Sequence, residues 1–142
     1  YYSDAAKMET DKNKASDYMM QLAGIFSNQR NFARARQAAY DALEYNPNNG
    51  EAYILIAQLY ASSAANIFPE PEKAGLVYLA AVDKLQKARS VDPSVASKAN
   101  NLINRYSAAF MDTETAFMMG IKAGETVTIP GWIGETTTVR LR

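Results

Sequence analysis

Along most of the chain the apolar positions recur with the stripe of an amphipathic helix. Met19, Leu22, Ala23 and Phe26 fall at i, i+3, i+4 and i+7, the spacing that puts all four on one face of a helix. Phe32, Ala35, Ala39 and Ala42 mark a second stripe, and Tyr53, Ile56, Ala57 and Tyr60 a third. Breaks rich in Asn, Gly and Pro separate the stretches, as in YNPNNG at 45–50. Connections this short favour antiparallel neighbours, so the predicted unit is the helical hairpin. Alanine at 35, 42 and 57 removes bulk where two helix axes meet and predicts close approach there.

The pattern repeats. YNP at 45–47 and VDP at 91–93 end two similar helices, and their prolines stand 46 residues apart. Excising the twelve residues SSAANIFPEPEK, 62–73, brings the spacing to about 34 residues, the period of one helix-turn-helix repeat class. Tyr53, Ile56, Ala57 and Tyr60 then align with Met19, Leu22, Ala23 and Phe26. Ala81, Ala88 and Pro93 align with Ala35, Ala42 and Pro47, and Tyr78 with Phe32. Together these positions resemble the tetratricopeptide repeat (TPR) family over about residues 13–110. The resemblance implies a mainly α fold, a right-handed array of antiparallel helix pairs.

Partial units flank this stretch. Ala99, Leu102, Ile103 and Tyr106 repeat the first-helix pattern, and DTETAFMMG follows with Asp112 or Thr113 as helix cap and Gly120 as stop. Residues 13–119 are therefore read as the array, with 62–73 as its insert. Residues 1–12, where Tyr2 and Ala5 already show helical spacing, read as the tail of a preceding helix in a longer chain.

Residues 120–142 change character: Thr, Val, Ile and Gly alternate, and ETVTI and TTTVRL read as two strands of a hairpin. A lone two-stranded hairpin is marginal in water, so this one must pack on something. Trp132 and Ile133 are the expected anchors, onto the final helices. A hairpin ending near WIGETTTVR after such an array resembles envelope-associated Bacteroidetes members of the family, which implies a periplasmic or envelope location.

Composition narrows the function. There is no His and no Cys, which removes the usual general base, the thiolate nucleophile and the commonest metal ligands. No Gly-rich phosphate loop or metal-spaced acidic motif is present, so no enzyme, cofactor or metal is expected. Fifteen basic residues balance fifteen acidic ones, so nothing draws the chain to nucleic acid. No apolar run approaches the length of a spanning helix, so no membrane insertion of this segment is expected. The tyrosines at 53, 60, 78 and 106 read as packing residues. Arg30, Arg34 and Arg36 read as a solvated helix face, and Glu70, Glu72 and Asp83 as exposed carboxylates.

What remains is a surface. The resemblance implies that the first helix of each unit lines a concave face, here through Asp17, Met20 and Ser27, then Glu51, Ile54 and Gln58, then Ser97, Asn100 and Asn104. Family members that clamp a C-terminal carboxylate use Lys and Asn at such places, whereas this chain has Met20, Gly24 and Ser97. An extended peptide or a protein held by shape and amide hydrogen bonds is the expected partner. Ile67 and Phe68, on a connection interrupted by Pro69 and Pro71, are the candidate loop contact. The competing reading is a structural module that forms homo-oligomers through the hairpin or the first helix.

Overall fold

The computed structural model describes residues 1–142. It is mainly helical: α1 (Tyr2–Met8), α2 (Lys12–Asn28), α3 (Phe32–Tyr45), α4 (Gly50–Ile67), α5 (Ala74–Val91), α6 (Ala96–Ser107) and α7 (Thr113–Met119). A small antiparallel hairpin follows, β1 (Thr126–Thr128) on β2 (Thr136–Thr138), with Val127 opposite Thr137. No helix is long and apolar enough to cross a membrane.

Consecutive helices pack most closely as α2 with α3 and α4 with α5. The alanines explain how. Ala23, Ala35, Ala39, Ala42, Ala57, Ala81, Ala88 and Ala99 are all fully buried, so helix axes meet where side chains are smallest. The two pairs also approach closely at aligned positions. In the first, the Ser16 hydroxyl donates to the Ala42 carbonyl at 2.8 Å, tying the start of α2 to the end of α3. In the second, Gly50 takes the place of Ser16, and a Cβ there would stand 3.1 Å from the Ala88 carbonyl and under 3 Å from Asp92 and Val95. Both pairs are thus antiparallel hairpins closed at the same level. Asn49 joins them, donating from Nδ2 to the Ser16 hydroxyl at 2.8 Å.

The twelve extra residues do not form a loop, which corrects the reading of 62–73. Ser62 to Ile67 continue α4, because serine and alanine sustain a helix and the first proline comes only at 69. Phe68 is then driven into an extended conformation by the proline after it. Relative to α2, which ends at the equivalent of Ser62, α4 gains five residues. Relative to α3, whose start is the equivalent of Tyr78, α5 gains four. The remainder lengthens the connection, where Pro71–Lys73 form a 3-10 turn. Ile67 and Phe68 pack against the core as partly buried side chains. The longer α5 also docks the next connection: a Cβ at Gly75 would lie 2.6 Å from the Ala109 carbonyl oxygen.

α7 ends the helical layer as its caps direct. The Asp112 carboxylate accepts from the Thr115 backbone N–H at 2.7 Å, and Gly120 takes the left-handed conformation that stops the helix.

Candidate functional site

Two sides of the helical layer differ in what covers them. The exposed residues of the sequence-derived face lie on α2, α4 and α6. Asp17, Glu51, Ser97, Asn100 and Asn104 are exposed, and Met20, Ser27 and Gln58 are partly so. Ile54 does not belong with them. It is 1% exposed and part of the core, because α4 is enclosed on more of its circumference than a single stripe describes. Two polar links cross or border the face: Lys98 to Glu51 at 3.0 Å, joining α6 to α4, and Arg89 donating to the Asn100 side-chain oxygen at 2.7 Å. Exposed pairs of this kind stabilise by well under about 1 kcal/mol and are readily exchanged for a partner's groups.

The other side is covered by the chain itself. After α7 the C-terminal segment runs across α5 and α4 to α3. Its anchors are Trp132 and Ile133, but they seat on α3 and α4 rather than on the final helices. The indole packs on both Phe32 and Tyr60, with ring centroids 5.9 and 5.4 Å away, and its N–H donates to the Ser63 hydroxyl at 3.1 Å. At the aligned place one unit on, Tyr78 and Tyr106 meet each other directly at 5.5 Å. Trp132 bridges the pair of rings whose counterparts touch. The seat depends on the lengthened α4, since both Ser63 and Ile67 lie in its added turn. The Ile67 side chain approaches Gly131, whose φ of +70° favours glycine, and a Cβ there would stand 3.2 Å from it.

Arg36 locks the segment. Its guanidinium donates to the carbonyls of Trp132 and Ile133 at 2.7 Å each and to the Tyr60 hydroxyl at 3.0 Å, and lies 5.0 Å from the Trp132 ring. It is therefore not part of a solvated basic face. Asp83 is likewise engaged, accepting from Thr137 and from Arg140, the latter at 2.7 Å. Lys84 pairs with Glu135 at 2.7 Å. Burial alone pulls the Lys84 ammonium down, but the Glu135 carboxylate outweighs it and the net shift is upward, so the ammonium stays charged at neutral pH. Burial pushes the Tyr60 hydroxyl well above its ordinary value, and Glu135 adds to that push. Beneath this network Ile129, Ile133 and Val139 are fully buried.

The segment and the sequence-derived face occupy opposite sides of α4. At about 100° per residue, Tyr60, Ser63 and Ile67 share one side, and Glu51 and Gln58 project from the other. The signal that sequence reading lacked was the partner of Arg36, which stands 97 positions away.

The first hairpin has no such cover. Leu22 and Phe26 stay partly exposed, whereas their aligned counterparts Ile56 and Tyr60 are fully buried. A groove runs here between α1 and α3, floored by Met19, Leu22 and Phe26. No group of three or more Asp or Glu side chains gathers in a metal-binding arrangement. No family model, curated protein or solved structure matches the chain.

Proposed function

We propose that this chain is a TPR-like, non-catalytic scaffold that holds a protein or peptide against the exposed face of α2, α4 and α6. The observation that carries the reading is the division of sides. The chain spends its own C-terminal segment on the α3–α5 side, and the face of the first helices stays open. Apart from Asp17, the residues on that face are neutral or weakly paired, which suits recognition by shape and amide hydrogen bonds. Stacked helix pairs provide such an extended surface with no reactive group required. The like closure of the two hairpins at Ser16 and Gly50 supports the TPR-like arrangement.

Gln58→Arg with Asn104→Glu places two charges on the open face and leaves the covered side untouched. Crosslinking in cells followed by recovery of the tagged chain is expected to lose its protein partners in the double variant. Equal recovery with variant and wild type would remove this face as the site.

A further inference from the structure

We infer that the Asn49-Gly50 pair is a self-modification site held shut by the fold: the Asn49 side-chain amide converts to aspartate or isoaspartate in chains whose two hairpins have parted at this junction. The inference goes beyond the scaffold reading and does not depend on it.

This is the only Asn-Gly pair in the chain. Asparagine is a chemically labile residue, and a glycine after it leaves the next backbone nitrogen unobstructed by any side chain. In the conversion the Gly50 nitrogen forms a bond to the Asn49 Cγ and gives up its proton, the Cγ–Nδ2 bond breaks, and Nδ2 leaves as ammonia. Water then opens the five-membered ring at either carbonyl. The product is aspartate or, with one more carbon in the main chain, isoaspartate.

Packing demands both residues. A Cβ at position 50 would stand 2.6 Å from the Val95 side chain and 2.7 Å from Asp92, so glycine is required where α4 begins against the connection that follows α5. Asn49 donates from Nδ2 to the Ser16 hydroxyl at 2.8 Å and so joins the second hairpin to the first. That hydroxyl gives its own proton to the Ala42 carbonyl, so a donor is what suits it at position 49.

The same contacts keep the reacting atoms apart. The peptide group between residues 49 and 50 is fixed at both ends: its carbonyl accepts from the Ala52 N–H at 3.2 Å, and its N–H donates to the Asp92 carboxylate at 3.1 Å. The Asn49 ψ of 88° turns the Gly50 nitrogen away from the Asn49 Cβ, whereas ring closure needs the two alongside each other. Closure therefore requires the peptide group to leave Asp92 and Ala52 and the side chain to leave Ser16, which is a local opening of the junction. After conversion, residue 49 carries a carboxylate in place of a donor. It then competes with the Ala42 carbonyl for the one Ser16 proton, and the link between the hairpins is not rebuilt as it was.

The intact chain, incubated in mildly alkaline buffer with and without denaturing urea, tests the inference. Conversion at Asn49 is read by mass spectrometry of the tryptic peptide 37–73 and is expected to be about tenfold slower, or more, in the native chain. Asp92→Ala frees the Gly50 N–H and Ser16→Ala frees the Asn49 side chain. Each should speed conversion several-fold in native buffer and leave the rate in urea unchanged. Equal rates in the native and the unfolded wild-type chain would overturn the inference, whether or not the variants fold. Variants that convert no faster than wild type in native buffer would overturn it as well.

Discussion

Arg36→Ala is expected to lower stability by about 3 kcal/mol, far more than an ordinary surface arginine contributes. Hydrogen bonds to a charged group are worth about 1.5–3 kcal/mol, and here one guanidinium makes three, at 2.7, 2.7 and 3.0 Å. Its loss strands the carbonyls of Trp132 and Ile133 in a partly buried place and removes the cation beside two aromatic rings. Lysine at this position should recover little, because a single ammonium cannot span two carbonyls while lying flat on a ring. Trp132 is the only tryptophan, so its fluorescence reports the site directly. Urea denaturation should show the lower midpoint, and the native emission should move to longer wavelength. A loss below about 1 kcal/mol with unchanged emission would show that Arg36 does not lock the segment.

The second large effect is that of Trp132→Ala. Truncating a well-packed tryptophan costs about 3–5 kcal/mol, and here the consequence extends beyond the cavity. The hairpin has three residues per strand and cannot hold itself together in water. Without its anchor, the hairpin is left with the polar network of Asp83, Lys84, Glu135 and Arg140, which water can replace, and with the burial of Ile129, Ile133 and Val139. Hydrogen exchange should therefore become fast at the Ile129 and Val139 amides, which bond to Glu135 and Glu125, while α4 and α5 amides stay protected. Protection retained at Ile129 and Val139 would mean that the hairpin is fixed by something other than the indole. Because Arg36 and Trp132 share partners, the double variant should cost clearly less than the two single losses added.

Much of the helical layer was legible in the sequence, because periodicity and caps are local signals. The stripes of α2 to α6, the buried alanines, the Asp112 cap, the Gly120 stop and the terminal hairpin follow from residues within a few turns of one another. Tyr60 and Tyr106 are buried, as their repeat positions imply. The helical part of the insert is not legible because Pro69 and Pro71 signal the end of a helix but do not say how far it has already run. The added turn of α4 has little apolar stripe of its own, and part of what Ser63 and Ile67 meet comes from Trp132 and Gly131. Ile54 was placed on the open face because one stripe assigns one buried side, whereas α4 is enclosed by α3, α5 and the C-terminal segment. Arg36 and Asp83 read as solvated for the same reason: their partners in the C-terminal segment lie 50 or more positions away, and charge patterning within a helix carries no trace of them.

The account turns on the C-terminal segment being seated between the two hairpins, so that one side of the layer is closed and the other is free. A nuclear Overhauser spectrum of the full chain measures this directly through its single indole. Cross-peaks from the Trp132 ring protons to the ring protons of both Phe32 and Tyr60 are the predicted result. Cross-peaks confined to residues 120–142, with none to either ring, would contradict it.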